Sequence, residues 1–270
     1  MTEWKIDRPQ SLDLTGVRRL NVRMVAGSID VVGSSEGAED GAASVEVSQL
    51  EGPLLVTQDG DTLTIAHERL TWGGLLDWVS NFGNRQSAVV SVSVPEGCPV
   101  ELGVVSADAV VSGVTAATKV KSVSGDVTVD GTRADISAQT VSGALETRDL
   151  AGRLKFTTVS GDLTVVRSSS DRVTAETVSG DLTLDLDVPD DARLDLKSVS
   201  GDVTVRLPEG AELQVEVKTM SGSLDSAFGG VTVERKPGKT SMRGRLGAGR
   251  GMLLAKTVSG DVTLLSRSSA

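Results

Sequence analysis

The octet SVSGDVTV occupies residues 122–129, and close copies of it return along the chain. Each copy keeps the order hydroxyl residue, valine, serine, glycine, aspartate, and the copies are TVSGDLTV 158–165, TVSGDLTL 177–184, SVSGDVTV 198–205 and TVSGDVTL 257–264. Repetition at a regular spacing is typical of proteins in which one small structural unit stacks on the next. The octet therefore decides the fold that we predict for most of the chain.

Aligning the copies on their glycine gives a period of 18 to 21 residues. The aligned column contains Gly125, Gly143, Gly161, Gly180, Gly201, Gly222 and Gly260, and weaker copies add Ala107 and Gly244 to make nine rows. Apolar residues alternate with other residues on both sides of the glycine, as in Val173 and Ala175 before it and Leu182 and Leu184 after it. This alternation indicates strands, and the SGD between them predicts a bend in which glycine is free to adopt positive φ.

We therefore predict an all-β fold, a single-stranded β-solenoid (β-helix) with about nine coils and an irregular β N-terminal cap. Residues 1–99 would form the N-terminal β region with a hydrophobic loop at 70–84, and residues 100–270 would carry the repeats in one continuous domain. Within the N-terminal region we predict a worn repeat centred on Gly27, a hairpin from Leu54 with Asp59-Gly60 as its turn, and a strand from Ala88. A cap is needed because an open solenoid end exposes core and strand edges.

Return loops between coils share a second pattern, an apolar residue followed by proline, two turn-forming residues and a small residue. The copies are VPEGC 94–98, VPDDA 188–192 and LPEGA 207–211. Cys98 thus occupies the small-residue position that Ala192 and Ala211 fill elsewhere, which predicts a packing role.

Composition narrows the function and the compartment. The 270 residues carry a formal net charge of −10, so the chain repels phosphate backbones and nucleic acid is not a predicted partner. A single cysteine excludes an internal disulfide framework. The N-terminus lacks the apolar core of a signal peptide, and no apolar run approaches 18 residues, so we expect no transmembrane segment and a cytoplasmic location. Peripheral association with a membrane is the alternative.

The tandem rows resemble a bacterial family of unknown function, DUF4097, which is described as β-strand-repeat proteins and carries an adhesin label. The resemblance rests on the repeated octet, on VSVSVPEG 90–97 and on GAGRGMLLAKTVSGDVTLLSR 247–267, and it covers roughly residues 20 to 266. It implies a β-solenoid and supplies no catalytic residues.

The aspartate after the repeat glycine is a candidate ligand. Six copies share the column: Asp108, Asp126, Asp162, Asp181, Asp202 and Asp261. Stacked coils would bring these carboxylates about 5 Å apart, where like charges repel and a Ca²⁺ ion between rows would help. The alternative is that each aspartate caps a turn by accepting backbone N–H bonds.

A second candidate is the segment RLTWGGLLDWVSNFGN 69–84, which interrupts the strands and holds three of the six aromatic residues. Its partner-binding candidates are Trp72, Leu75, Leu76, Trp78 and Phe82. Such a segment predicts either a loop that binds a partner or a membrane surface, or a lid over the end of the solenoid.

Two further groups of side chains have chemical potential. Cys98 and His67 suggest a nucleophile and a base, which the packing role of Cys98 disfavours. A basic cluster would either hold an anionic ligand or form a solvated face, and it comprises Arg235, Lys236, Lys239, Arg243, Arg245 and Arg250.

A long regular surface without a convergent polar site favours interaction over turnover. We predict a non-catalytic, adhesin-like binding or scaffold protein without a cofactor, whose partner is a protein or an envelope component. One alternative is an envelope-associated signalling accessory recruited through the Trp72–Phe82 loop. The other is a polysaccharide-acting β-helix enzyme, which is disfavoured because only Phe156 and Phe228 could stack on sugars beyond residue 100.

Overall fold

The computed structural model describes residues 1–67 and 86–268. Among these residues every regular element is a β-strand, and 24 strands are present. None of the described residues forms a helix long and apolar enough to cross a membrane. The chain divides into two compact units, Met1–Gly143 and Ala144–Ala270. The prediction of an all-β solenoid is confirmed, and the predicted division at residue 99 stays a prediction.

Unit 1 (Met1–Gly143) contains eleven of the strands in its described part. They are β1 (Thr2–Ile6), β2 (Gln10–Leu14), β3 (Arg19–Ser34), β4 (Ala43–Glu51), β5 (Leu54–Asp59), β6 (Thr62–His67), β7 (Ser87–Pro95), β8 (Val100–Ser112), β9 (Thr118–Ser122), β10 (Val127–Asp130) and β11 (Ile136–Thr140).

Parallel pairing builds the coils of unit 1, which we call rungs. The first half of β3 lies between β6 and β8, and β9 and β11 continue that stack. The second half of β3 lies between β7 and β8, and β10 continues that stack. Gly27 pairs with Ala107 on one side and Ala88 on the other, which confirms the worn repeat.

Antiparallel strands provide the irregular cap. β1 pairs with β5, β2 with β4, and β4 with β7. β5 and β6 form the predicted hairpin, in which Asp59 pairs with Thr62. Its two-residue loop is therefore Gly60-Asp61, one residue later than predicted, with φ of +59° at Gly60.

Unit 2 (Ala144–Ala270) contains the remaining strands of the described chain. They are β12 (Leu145–Arg148), β13 (Leu154–Thr157), β14 (Leu163–Ser168), β15 (Arg172–Glu176), β16 (Leu182–Leu186), β17 (Arg193–Lys197), β18 (Val203–Pro208), β19 (Leu213–Thr219), β20 (Leu224–Ser226), β21 (Val231–Lys236), β22 (Lys239–Arg245), β23 (Gly251–Lys256) and β24 (Val262–Arg267).

The rungs of unit 2 do not stack in chain order. One parallel stack runs β13, β15, β17, β23, β19, and the other runs β12, β14, β16, β18, β24, β20. The last rung of the chain, β23–β24, therefore lies between two earlier ones. The hairpin β21–β22 pairs antiparallel with β19, so Gly244 faces Val215 and Val231 and the prediction that it adds a repeat row is wrong.

The repeat glycines, which we call the bend column, are required by close approach of backbones. A Cβ on Gly201 would lie 1.9 Å from the carbonyl oxygen of Gly180, and one on Gly260 would lie 2.1 Å from that of Gly201. Positive φ is not the reason in unit 2, because no glycine of the column there has it. The described residues form five rows in each unit, ten in all, where about nine coils were predicted. The rows are Ala88, Gly27, Ala107, Gly125 and Gly143 in unit 1, and Gly161, Gly180, Gly201, Gly260 and Gly222 in unit 2.

The core of both units is aliphatic. The inward residues of each rung are fully buried, as at Leu194, Leu196, Val203 and Val205. Phe156 is the largest of the fully buried side chains among the described residues. Stacking equal residues on equal residues fills this core, and it leaves the bends and outer faces to be considered for function.

Candidate functional site

The first letter of the octet, serine or threonine, closes the bend from inside. In unit 2 the hydroxyl oxygen of this residue accepts the N–H of the glycine three residues later, at 2.9 Å for Thr158, 2.8 Å for Thr177, 2.8 Å for Ser198, 3.0 Å for Thr219 and 2.9 Å for Thr257. These side chains are buried. The glycine N–H therefore donates to a hydroxyl of its own strand and not to a carbonyl of the neighbouring strand. The ladder of backbone hydrogen bonds is interrupted there, and the strand ends.

The serine before the glycine ties each bend to its neighbour. Its hydroxyl donates to a valine carbonyl of the adjacent rung, at 3.1 Å from Ser124 to Val105 and at 3.2 Å from Ser200 to Val178. Ser259 makes the same bond to Val199 at 3.3 Å. The hydroxyl is therefore used in stacking.

The aspartate after the glycine is used in the same way. Its Oδ1 accepts the backbone N–H of the equivalent residue one rung further on. The acceptors and distances are Asp108 3.0 Å, Asp162 2.8 Å, Asp181 2.8 Å, Asp202 2.8 Å and Asp261 2.7 Å. The turn-capping interpretation accounts for these carboxylates, since each replaces a missing ladder bond at the bend.

Calcium binding by the same column is a separate question. Within residues 1–67 and 86–268, no group of three or more histidine, cysteine, aspartate or glutamate side chains is arranged to hold a metal ion. The calcium alternative, which concerned Asp126, Asp162, Asp181, Asp202 and Asp261, stays a prediction.

The side chain of the second octet residue makes no hydrogen bond in the bend. In unit 2 this residue is apolar and exposed, with fractions of 51% at Val159, 47% at Val178, 45% at Val199, 43% at Val258 and 60% at Met220. The rungs that carry them are stacked in that order, so the five side chains form a continuous line that we call the apolar stripe. The sequence analysis missed this line because valine is an ordinary strand residue. The signal was nonetheless present, because the side chains of two adjacent octet residues point to opposite faces and cannot both lie in the core.

Charged residues flank the apolar stripe along the chain. Two residues before it, Lys197, Lys256 and Lys218 are in register on neighbouring strands, and we call them the lysine column. Three residues after it lie the exposed aspartates. Lys197 donates to Glu176 at 2.7 Å, and this hydrogen bond raises the pKa of the Lys197 ammonium. Lys218 bonds Glu216, whose pKa it holds below the usual value.

The two groups proposed as a nucleophile and a base lie apart. Cys98 is 1% exposed and lies near the start of β3, where the charges of Arg19 and Asp61 act on its thiol. The Nδ1 of His67 accepts the N–H of Val25 at 3.0 Å, six residues further along β3, or about 20 Å in an extended strand. Burial raises the pKa of the Cys98 thiol to about 11 and lowers the pKa of the His67 imidazole to about 4. A protonated thiol far from a base is not a nucleophile.

The packing role predicted for Cys98 is confirmed. The N–H of Cys98 donates to Pro95 at 2.8 Å, and the equivalent bonds run from Ala192 to Pro189 and from Ala211 to Pro208, both at 3.0 Å. All three small residues are buried. The three return loops are thus the same turn.

The predicted basic cluster is spread over several ion pairs. Arg250 pairs with Asp190 at 2.7 Å and with Glu212 at 2.5 Å, and Arg243 pairs with Glu216 at 3.4 Å. Lys236 pairs with Glu234 at 3.3 Å on an exposed part of β21. These pairs favour the solvated-face interpretation over an anion site.

The aromatic segment lies outside the described residues. Trp72, Leu75, Leu76, Trp78 and Phe82 all fall between residues 67 and 86. Its place in the chain is nonetheless informative. β6 and β7 pair with the two halves of β3, so the segment lies in the sequence between the two strands of one rung.

Comparison with solved structures identifies the same fold elsewhere. A candidate lipid-binding protein from Parabacteroides distasonis shares 14% identity and a TM-score of 0.52, with 96% of this chain and 97% of that chain covered. A candidate adhesin from the same species shares 14% identity, a TM-score of 0.48 and the same coverage. A candidate adhesin from Bacteroides fragilis shares 11% identity and a TM-score of 0.46, with 96% and 98% covered. The first of these likenesses supports the fold alone.

Among curated protein sequences none matches this chain significantly. The profile of the Toastrack DUF4097 family matches residues 19–265. This match covers the repeats and the part of the N-terminal cap that follows β2, and the chain therefore belongs to the Toastrack DUF4097 family.

Proposed function

We propose that this protein is a non-catalytic, adhesin-like binding protein that presents the apolar stripe of unit 2 to a partner. One observation carries the proposal. The polar letters of the octet are used in holding the bends together, whereas the apolar letter is left exposed on five stacked rungs of unit 2. A contiguous apolar surface rimmed by polar residues is typical of an interaction site.

The chemistry around the stripe indicates the kind of partner. The lysine column lies on one side along the chain and the aspartates on the other. The proposed partner is a protein of the cell envelope whose apolar ridge has acidic groups toward the lysines and basic groups toward the aspartates. Complementary charges of this kind set register and partner choice more than affinity.

A membrane surface fits the stripe less well. The chain carries a net charge of −10, and the aspartates border the stripe, so an anionic bilayer would be repelled from one side of it. The lipid-binding name of the Parabacteroides distasonis protein makes vesicles a necessary arm of the test.

The test replaces the three central residues of the apolar stripe by a polar residue of the same shape. The variant is Val178→Thr, Val199→Thr and Val258→Thr, and the matched control is Thr164→Ser, Thr183→Ser and Thr204→Ser on an outer face of neighbouring rungs. We expect both variants to melt within a few degrees of the parent, because all six side chains are at least partly exposed. Capture of envelope proteins by the immobilised full chain is expected to fall with the stripe variant and not with the control. Equal capture by both variants, or binding to anionic vesicles that the stripe variant abolishes, would refute the proposal.

A second candidate function follows from the inserted segment. Residues 68–85 are an insertion in the sequence between β6 and β7, the two strands that pair with β3. This insertion favours a signalling accessory recruited to the envelope through Trp72–Phe82. A chain lacking residues 72–82, compared with the stripe variant in the same capture experiment, distinguishes the two: loss of capture only in the deletion assigns recruitment to the insertion.

A further inference from the structure

The order of the rungs in unit 2 has a consequence for association. The segment Gly251–Arg267, which we call the C-terminal rung, is the last in the chain but lies between the rung β17–β18 and the rung β19–β20. It therefore fills a slot between two rungs that both precede it in the chain, and we call those two rungs, β17–β18 and β19–β20, the walls of the slot.

The C-terminal rung is bonded to both walls. Ser198 N–H donates to Lys256 and Thr257 N–H donates to Lys218, both at 2.9 Å. The aspartate ladder also passes through it, from Asp202 to Asp261 and on to Ser223. Its inward side chains are fully buried in the described structure: Leu253, Ala255, Val262 and Leu264.

The loop 246–250 connects the C-terminal rung to β22, the strand that precedes it in the chain. β22 occupies one edge of β19 and β23 the other, so the loop 246–250 crosses the start of β19 within five residues. The loop turns at Gly247 and Gly249, whose φ values are +52° and +67°, and Gly249 N–H closes it on Leu246 at 3.1 Å. Short loops of this kind are the usual hinges of exchanged elements.

We propose that the C-terminal rung is an exchangeable element through which two copies of this chain associate, each placing its rung in the slot of the other. Every ladder bond and buried contact of the rung is the same whether the rung comes from its own chain or from a second copy. The balance then depends on the conformation of the loop 246–250 and on protein concentration. Insertion of a strand between two strand edges is an established mode of recognition. The inference is independent of the proposed partner of the apolar stripe.

The first test keeps the loop intact and uses single cysteines in a Cys98→Ala background. Lys197 and Lys256 are directly opposite each other on β17 and β23. A Lys197→Cys chain and a Lys256→Cys chain are mixed, unfolded, refolded together at high concentration and oxidised. Exchange places one cysteine beside the other only between chains, so we expect a covalent heterodimer whose fraction rises with concentration.

The matched control uses Glu176→Cys with Lys197→Cys, which are opposite on β15 and β17, neither of them in the C-terminal rung. This pair is expected to give no heterodimer. The proposal is overturned if the two pairs give equal amounts of heterodimer after refolding.

The second test changes the loop. Deleting Gly247, Ala248 and Gly249 leaves too few residues to cross β19 within one chain, so light scattering is expected to show a dimer. Inserting four Gly/Ser residues at the same place is expected to favour the monomer. A shortened chain that is folded and monomeric contradicts the proposal, and if the shortened chain does not fold, the cysteine experiment decides.

Discussion

Two kinds of rung occur in this molecule, and they differ at one position. In unit 1, β3 and β8 run through the bend position as single strands of 16 and 13 residues. In unit 2, the strands before the bend are 4 to 7 residues long and stop there. Three residues before the bend column, the unbroken strands have Met24 and Val104, where the broken ones have serine or threonine.

This difference shows that the buried hydroxyl, more than the glycine, makes the bend. Gly27 is a member of the column in β3, yet the strand continues past it. Met24 and Val104 offer no acceptor for a local amide, so the backbone keeps its ladder partners. In unit 2, where a hydroxyl is available, the glycine amide donates to it and the chain bends.

The same difference decides where a binding surface is exposed. Val105, which corresponds to the stripe position in β8, is 2% exposed, whereas Val199 is 45% exposed. An apolar stripe is therefore a property of the bent rungs of unit 2.

The largest loss of stability is expected when a side chain is added at a column glycine, where the backbones of neighbouring bent rungs approach closely. In Gly201→Ala the added Cβ would lie 1.9 Å from the carbonyl oxygen of Gly180, a backbone atom that cannot move without separating the rungs. We expect a loss of about 3 kcal/mol or more in the free energy of unfolding. Gly210→Ala in a return loop is the control, because nothing lies within 4 Å of its Cβ, and denaturant unfolding should show a change of no more than about 0.5 kcal/mol. An equal loss in both would mean that the column glycine is not there for close approach.

Acid is expected to weaken unit 1 selectively, because the only histidine lies there. Burial lowers the pKa of His67 in the folded protein to about 4, against an ordinary histidine pKa of 6.5. Its contribution to stability is complete above pH 6.5 and is lost as the pH falls from 6.5 to about 4. The difference corresponds to about 3 kcal/mol.

Hydrogen exchange measures this effect locally. The amides of β3 beside His67, Val25 among them, should lose protection over that pH range, while the amides of β17 in unit 2 should not. His67→Gln should remove the pH dependence of β3. An unchanged pH dependence in this variant would show that another group is responsible.

A single hydroxyl tests the origin of the bend. Thr177→Val removes the acceptor of the Gly180 amide and leaves a buried donor without its partner. We expect a loss of about 2 kcal/mol. Thr177→Ser should change the stability by less than about 0.5 kcal/mol, since Ser198 fills the same role one rung away. If valine were as well tolerated as serine in thermal unfolding, the contrast with Met24 and Val104 would lose its explanation.

Much of the architecture could be predicted from the sequence because the repeat is local. Alternation before and after the glycine specified strands, and Cys98, Ala192 and Ala211 were correctly placed in equivalent turns. The worn copy at Gly27 was also recognisable. In each case the residues that decide the structure are neighbours in the chain.

The order of the rungs could not be predicted because the octets are nearly interchangeable. A rung with TVSGDVTL can stack on SVSGDVTV or on TMSGSL with the same bonds, so the repeat does not say that the Gly260 row lies between Gly201 and Gly222. What decides it is the antiparallel pairing of β22 with β19, which covers one edge of β19 and leaves the other for β23. The alignment of Gly244 with the repeat concealed this pairing.

The smallest effect is expected from the exposed aspartates, and it separates the two interpretations of their column. Asp181→Ala removes the acceptor of the Asp202 amide and should cost about 1 kcal/mol, since the bond is exposed. Asp181→Asn keeps an acceptor oxygen and should recover most of that stability. If the column only caps bends, calorimetric titration of the parent with Ca²⁺ should give no heat and the melting temperature should not rise. Binding of Ca²⁺ that Asp181→Asn abolishes would instead show that the carboxylates are metal ligands. The aspartates of the octet would then have a function in binding as well as a role in the bend.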